Sequence, residues 1–285
     1  PRLDVKGPNV IKGIHLEGLR IVGKPAELAK KYYEQGADEI IYMDIVASLY
    51  GRENILDIVR ETASLGVFIP ITVGGGIRNL EDIKKTLRAG ADKVAINTFA
   101  VKNPNLIKEA SKMFGSQCIV GSIEAKRNIK GWEAYVENGR QKTGLDAIEW
   151  AKKLVELGAG ELLITSIDQE GTEKGYDLEL IQKIVSEVSV PVIACGGAKD
   201  SEDIKKCLEE TKCDAVSLAS LLHYNKTTIS KIKDYLKENS LEVRERYIFE
   251  KPYILNNKKI ITVIDYGMGN LQSVIKGFEK VGSIV

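Results

Sequence analysis

The sequence predicts an α/β fold: a closed (β/α)8 barrel of the TIM type built from two half-barrel repeats, followed by a short strand–helix tail. Three observations predict it. Eight short apolar runs alternate with eight longer helical patterns. The runs show little in–out alternation, as expected of parallel strands covered on both faces. The first half of the pattern then recurs in the second, about 120 residues on.

The strand candidates are Arg2–Lys6, Glu39–Ile45, Ile69–Val73, Lys93–Ile96, Cys118–Ile123, Glu161–Ser166, Val192–Cys195 and Ala215–Leu218. Helical patterns follow at Pro25–Gln35, Arg52–Leu65, Leu80–Ala89, Asn103–Phe114, Leu145–Leu157, Leu178–Val188, Ser201–Glu210 and Ile229–Asn239. Pro25 stands where a first-turn proline is tolerated. Gly36 and Gly158 stand where helices end. One insertion breaks the rhythm after the fifth strand. In residues 126–143, Trp132, Ala134 and Val136 alternate with Glu133, Tyr135 and Glu137, and Asn138-Gly139 is a turn dipeptide, which predicts a β-hairpin.

The 285 residues are 44% hydrophobic and 28% charged, which excludes wholesale disorder. No apolar run approaches the roughly 18 residues that span a bilayer, so no membrane partner is expected. A net charge of +1 offers no field for nucleic acid. The four cysteines fit no zinc spacing and read as packing residues of a reduced, cytoplasmic chain. His15 and His223 form no cluster, and neither a metal nor a redox cofactor is implied.

The repeat gives the chemistry its geometry. Residues 69–88 align with 190–209, with EDIKK intact in both, and RLDVK (2–6) aligns with SIEAK (122–126). Asp4 and Glu124 thus occupy one place in each half, at the ends of strands one and five. Opposite strands of an eight-stranded barrel face each other across the mouth where barrel active sites sit. Gly74-Gly75-Gly76 pairs with Gly196-Gly197, each between a strand and a helix. Such turns expose N–H groups at a helix N-terminus and suit a phosphate. Asn97-Thr98 and Ala219-Ser220 end the neighbouring strands and complete each site. A lone Gly-rich turn is more often only a turn, but matched turns and matched acids at one offset are not independent. The implied ligand is elongated, with a phosphate at each end and two carboxylates between.

At these residues the chain resembles the cyclase subunit of imidazole glycerol phosphate synthase, the HisF family of histidine biosynthesis. The resemblance rests on LDVK…VIKG (3–13), MDIVAS (43–48), TVGGGI (72–77), GADKVAINT (90–98), LLITSIDQEGTEKGYD (162–177), ACGGA (194–198) and LASLLHY (218–224). It implies a cyclase and lyase that joins ammonia to a bis-phosphorylated aminoimidazole carboxamide ribulose nucleotide. The products would be imidazole glycerol phosphate and an aminoimidazole carboxamide ribonucleotide. By the same resemblance Asp4 and Glu124 are the catalytic acids. Lys12, Gly75, Gly76, Asn97 and Thr98 bind substrate and one phosphate. Asp168, Gly171, Thr172, Gly196, Gly197, Ala219 and Ser220 form the other phosphate site and its surroundings. Glu39, Lys93 and Glu161 match a charged ring at the barrel floor that gates ammonia. The ring's arginine is expected upstream of Pro1, in a preceding segment.

One position departs from the family. Its second acid is an aspartate, and here it is Glu124, whose carboxylate reaches about 1.5 Å further; a 1 Å misplacement can cost about 10²-fold in rate. The SIEAKR motif is similar to cyclase-like paralogues of surface-polysaccharide clusters, associated with turning acetamido sugars into acetamidino sugars. That paralogue, or a non-catalytic ammonia conduit, stands as the alternative to the cyclase.

The barrel pattern ends near Asn239. Residues 240–259 read as a linker. Residues 260–285 resemble the start of the glutaminase subunit (HisH-like), carried by Asp265, Gly267, Gly269 and Asn270. The later nucleophile elbow is not in this sequence. The chain is therefore expected to use a glutaminase partner, in trans or as a truncated fusion, and the tail unit to pack weakly.

Overall fold

The structure is a computed structural model that describes residues 1–14, 17–46, 53–245, 263, 271–280 and 283. The barrel strands are β1 (Arg2–Lys6), β4 (Ile40–Asp44), β5 (Ile71–Gly74), β6 (Lys93–Ile96), β7 (Ile119–Asn128), β10 (Glu161–Ser166), β11 (Val192–Cys195) and β12 (Ala215–Ser217). Each is parallel to the next in that order. The ring closes where the Arg2 N–H donates to the Leu218 carbonyl at 2.8 Å. Strands one and five, β1 and β7, therefore stand across the barrel from each other.

Among the described residues eight longer helices wrap the ring: α1 (Pro25–Glu34), α2 (Glu53–Ser64), α3 (Leu80–Arg88), α5 (Asn105–Phe114), α6 (Ala147–Glu156), α7 (Leu178–Glu187), α8 (Ser201–Thr211) and α10 (Ile229–Glu238). Their apolar stripes and the outward side chains of the strands form the main core, including Leu3, Tyr42, Val73, Val94, Ile123 and Ile164. The inward side chains form a second, separate core of Ile41, Met43, Ala95, Val120, Leu163, Ile193 and Cys195. Two-sided burial explains why the sequence shows runs and not alternation.

Three features go beyond the expected elements. An antiparallel ribbon, β2 (Asn9–Ile14) and β3 (Glu17–Gly23), pairs with the end of β1. Its Ile14 and Ile21 are exposed at 59% and 69%, and no turn dipeptide marks it. Short helices α4 (Thr98–Lys102) and α9 (Ser220–His223) follow β6 and β12. The expected hairpin is present as an extension of β7 with β8 (Gly131–Val136) and β9 (Gln141–Asp146). Glu137 and Asn138 adopt left-handed backbone at its turn. Its alternation is incomplete: Tyr135 is buried with Trp132, Ala134 and Val136, because this ribbon lies over the barrel mouth.

Residues 240–245, expected to begin a linker, return to the barrel: Leu241 and Val243 pack on the core and Lys233 Nζ donates to the Arg244 carbonyl. In the tail the expected helix is α11 (Leu271–Lys280). Apart from Val263, the expected strand and Gly-rich turn, with Asp265, Gly267, Gly269 and Asn270, lie outside the described residues, as do residues 246–259 of the linker and His15.

Candidate active site

Asp4 and Glu124 are both buried, at 6% and 4% exposure, on facing strands at the C-terminal ends of the barrel. Their surroundings differ. Burial alone would raise Asp4, but the charges of Arg2 and Lys12 and a hydrogen bond from Arg2 outweigh it and hold its carboxyl below the usual range. Arg2 Nε meets Asp4 Oδ1 at 2.8 Å. Glu124 has no bonded cation among the described residues. Its Oε2 accepts from the Asn97 amide at 3.0 Å and from the Gly139 N–H of the hairpin turn at 2.8 Å. Burial pushes it up to about 7, aided by Asp4 and opposed by Arg2.

The first Gly-rich turn opens a cleft of about 350 Å³ that contains Gly75, Gly76, Asn97, Thr98 and Glu124. Lys6, Arg78 and Arg140 line the same cleft, three cations the sequence reading does not single out. Gly75 has φ +95°, and a Cβ there would collide with the Asp44 carbonyl. Glycine is thus needed for both conformation and space.

The second turn, with Gly171, Gly196, Gly197, Ala219 and Ser220, lines a cleft of only about 20 Å³. Lys12 reaches it from the first ribbon and forms a buried ion pair with Glu170. Glu170 is 3% exposed and is a site residue that no local sequence signal marks. Two expected members do not line this cleft. Asp168 accepts the Arg127 N–H at 2.8 Å, and the Thr172 hydroxyl donates to the Gln169 carbonyl at 2.8 Å. Both brace the loop that carries Glu170 and Gly171.

One N–H at each helix start is taken by the N-cap side chain: in α3 Asn79 accepts from Asp82 N, and in α8 Asp200 accepts from Asp203 N. Asp82 and Asp203 in turn accept from Arg78 N and Lys199 N, just before the helices. Besides the glycine backbone, Thr98 and Ser220 at the starts of the short helices and the nearby cations line the clefts.

At the opposite end, Lys93 Nζ bridges Glu39 Oε2 at 3.0 Å and Glu161 Oε2 at 2.8 Å. Burial raises Glu161 although Lys93 opposes it, and Lys93 is raised because its two carboxylates outweigh burial. Lys93 is thus shared by two acids on the barrel floor. The apolar inner core separates this ring from the mouth. His223 lies near the mouth but is a structural group: Tyr32 OH bonds its Nδ1 at 2.7 Å and its Nε2 meets the Arg2 carbonyl at 3.1 Å. Burial pushes it down to about 4, so it is neutral at neutral pH. Cys207 and Cys213 pack together with their sulfurs 3.9 Å apart, whereas Cys195 is more than packing and accepts from Arg2 Nη1 at 3.5 Å.

The family model for "Histidine biosynthesis protein" matches residues 1–228. The chain is 62% identical over 203 residues to "Imidazole glycerol phosphate synthase subunit HisF" of Legionella pneumophila, covering 71% of this chain and 95% of that protein. The chain belongs to the HisF family. It is also 51% identical over 248 residues to the HisF subunit of Trichormus variabilis, covering 86% of this chain and 96% of the relative. The HisF subunit of a Nostoc strain matches at the same 51%. These matches agree with the motif-based resemblance and with the barrel. Among the described residues no helix is long and apolar enough to cross a membrane.

Proposed function

We propose that the chain is the ammonia-dependent cyclase and lyase subunit of imidazole glycerol phosphate synthase, acting in histidine biosynthesis in the cytoplasm. Its substrate is the bis-phosphorylated aminoimidazole carboxamide ribulose nucleotide. The observation that carries this reading is the pair of glycine-built clefts on opposite sides of one mouth, with Asp4 and Glu124 between them, in a HisF family member. The first cleft takes one phosphate with Lys6, Arg78 and Arg140 as counter-charges, and the second takes the other near Lys12. Asp4 and Glu124 move protons on opposite faces of the substrate as ammonia adds and the imidazole ring closes. The buried mouth keeps water from the reacting centre. Ammonia from a glutaminase subunit, in trans or in a longer fusion, enters at the Glu39–Lys93–Glu161 ring.

A second reading rests on one residue. Glu124 stands where the resemblance expects an aspartate, and the hairpin turn donates to it through Gly139. That favours a related substrate, as in acetamidino-sugar formation. The test is turnover of the ribulose nucleotide with ammonium salt and no glutaminase, in wild type and Glu124→Asp. Robust wild-type turnover supports the cyclase. Tight binding without turnover favours the second reading, and rescue by Glu124→Asp would place the divergence at one methylene.

A further inference from the structure

The two acids of the mouth are related by the internal repeat, yet their neighbours are not. Two residues before Glu124 stands Ser122, and two residues before Asp4 stands Arg2. Residues i and i+2 of a strand share a face, so the Arg2 side chain enters the barrel beside Asp4. It is 2% exposed. The guanidinium is held from three strands: Nε donates to Asp4, Nη1 to Thr165 Oγ1 on β10 at 3.0 Å, and Nη1 also to Cys195 Sγ on β11 at 3.5 Å. Its backbone is tied through His223 to Tyr32. Nη2 is buried and has no hydrogen-bond partner among the described residues. A buried donor left unsatisfied is a cost to folding, so stability alone does not account for an arginine here.

We propose that Arg2 is a positioning residue: it holds Asp4 as the ionised proton acceptor on one wall and leaves Glu124, on the facing wall, as the proton donor. This rests on the cyclase reading for its reaction, but the arrangement itself is independent of substrate. The charged and titratable groups around Asp4 are Arg2 on its own strand, Lys12 on the first ribbon, His223 on α9 and Glu124 across the mouth. Lys12 is engaged by Glu170, and His223 is neutral, so Arg2 is the cation bonded to Asp4 itself. Among the described residues Glu124 receives only neutral donors, Asn97 and Gly139, both on one oxygen. Arg2 also lies within electrostatic range of Glu124 and favours its ionised form. The order of protonation therefore comes from the direct Arg2–Asp4 bond and from burial of Glu124, not from a general positive field.

The experiment is carboxyl carbon NMR titration of the whole chain, with the two signals assigned by Asp4→Asn and Glu124→Gln. In wild type Asp4 is expected to titrate below Glu124; the reverse order would overturn the proposal without any variant of Arg2. In Arg2→Gln the Asp4 midpoint is expected to rise by about one to three pH units, the range for loss of an adjacent opposite charge. Arg2→Lys is expected to recover most of that shift. An unmoved Asp4 midpoint in a folded Arg2→Gln would mean that Arg2 only packs. If Arg2→Gln does not fold, the wild-type order and Arg2→Lys still decide. Because the titration needs no substrate, correct ordering together with absent turnover would defeat the cyclase reading and leave the role of Arg2 standing.

Discussion

The two half-barrels agree closely where side chains satisfy the backbone and differ where they face the mouth. Asp92 accepts from the Ile71 N–H and Asp214 from the Val192 N–H, each at 2.9 Å. The helix caps at Asn79 and Asp200 repeat in the same way. So do the close-approach glycines Gly75 and Gly196, each set against the carbonyl that ends the preceding strand, Asp44 and Ser166. In contrast, the first half places Arg2 beside its acid and the second places Ser122. The first cleft is open and the second is narrowed by the Lys12–Glu170 pair. A backbone group left unpaired costs either half equally, so its partners are kept in pairs. A ligand whose two ends differ makes unequal demands on the two walls, and there the symmetry is broken.

The largest effect should come from the acid held by Arg2. Asp4→Asn is expected to lower ammonium-dependent turnover by about 10² to 10⁴-fold, the usual range for removing a positioned proton carrier. Unchanged ammonia delivery to a separate acceptor, with no turnover in wild type, would instead mark a conduit.

The next test separates the two acids by pH. Glu124 sits at about 7 in the folded chain against an ordinary 4.5, so the folded state keeps a proton that the unfolded state has lost. Wild type should therefore lose stability as pH rises from about 4.5 to about 7 on this account. Glu124→Gln removes that loss and should be more stable than wild type above about pH 7, by roughly 3 kcal/mol, with no such gain below about pH 4.5. His223 has the opposite slope. Its folded value of about 4 lies below the ordinary 6.5, so acid weakens the fold through that window. The two slopes oppose each other in wild type, and urea unfolding of Glu124→Gln across this range should remove the Glu124 slope and bring out that of His223.

A smaller effect should be shared by the two clefts. Gly75→Ala and Gly197→Ala each place a Cβ inside the radius of a backbone carbonyl, of Asp44 and Gly175 respectively, at a positive φ. Each is expected to cost about 1–3 kcal/mol of stability. If both clefts hold a phosphate, KM should rise about tenfold or more in each. A rise in only one would mean that only that end of the ligand is bound through its phosphate.

The smallest effect concerns the brace behind Arg2. Tyr32→Phe removes the 2.7 Å bond to His223 and should cost about 1 kcal/mol in thermal or urea unfolding. No measurable change would mean that His223 is held by its Nε2 contact to Arg2 alone.

Much of this was legible in the chain. Buried parallel strands announce themselves as apolar runs, and all eight barrel strands fall where those runs lie, with Arg2–Lys6, Lys93–Ile96, Glu161–Ser166 and Val192–Cys195 matching end to end. The repeat located both glycine turns and both acids before any geometry. The first ribbon was not legible, because Gly13 interrupts its pattern and Ile14 and Ile21 point to solvent. Glu170 was not legible either, since its partner Lys12 is 158 residues away. Arg2 was in reach, since strand parity alone puts it on the face of Asp4, but only the contacts with Thr165 and Cys195 show how it is held.

The sequence by itself determined the barrel, its doubling and which acids and glycine turns stand at the mouth, because periodicity and an internal repeat are properties of neighbours along the chain and of a fixed offset. Only the tertiary structure set the different surroundings of the two acids, Arg2 bonded to Asp4 and neutral donors bonded to Glu124. That follows from burial and from which cation reaches which carboxylate, and both are set by side chains that distant segments bring together in a medium where a single charge weighs heavily.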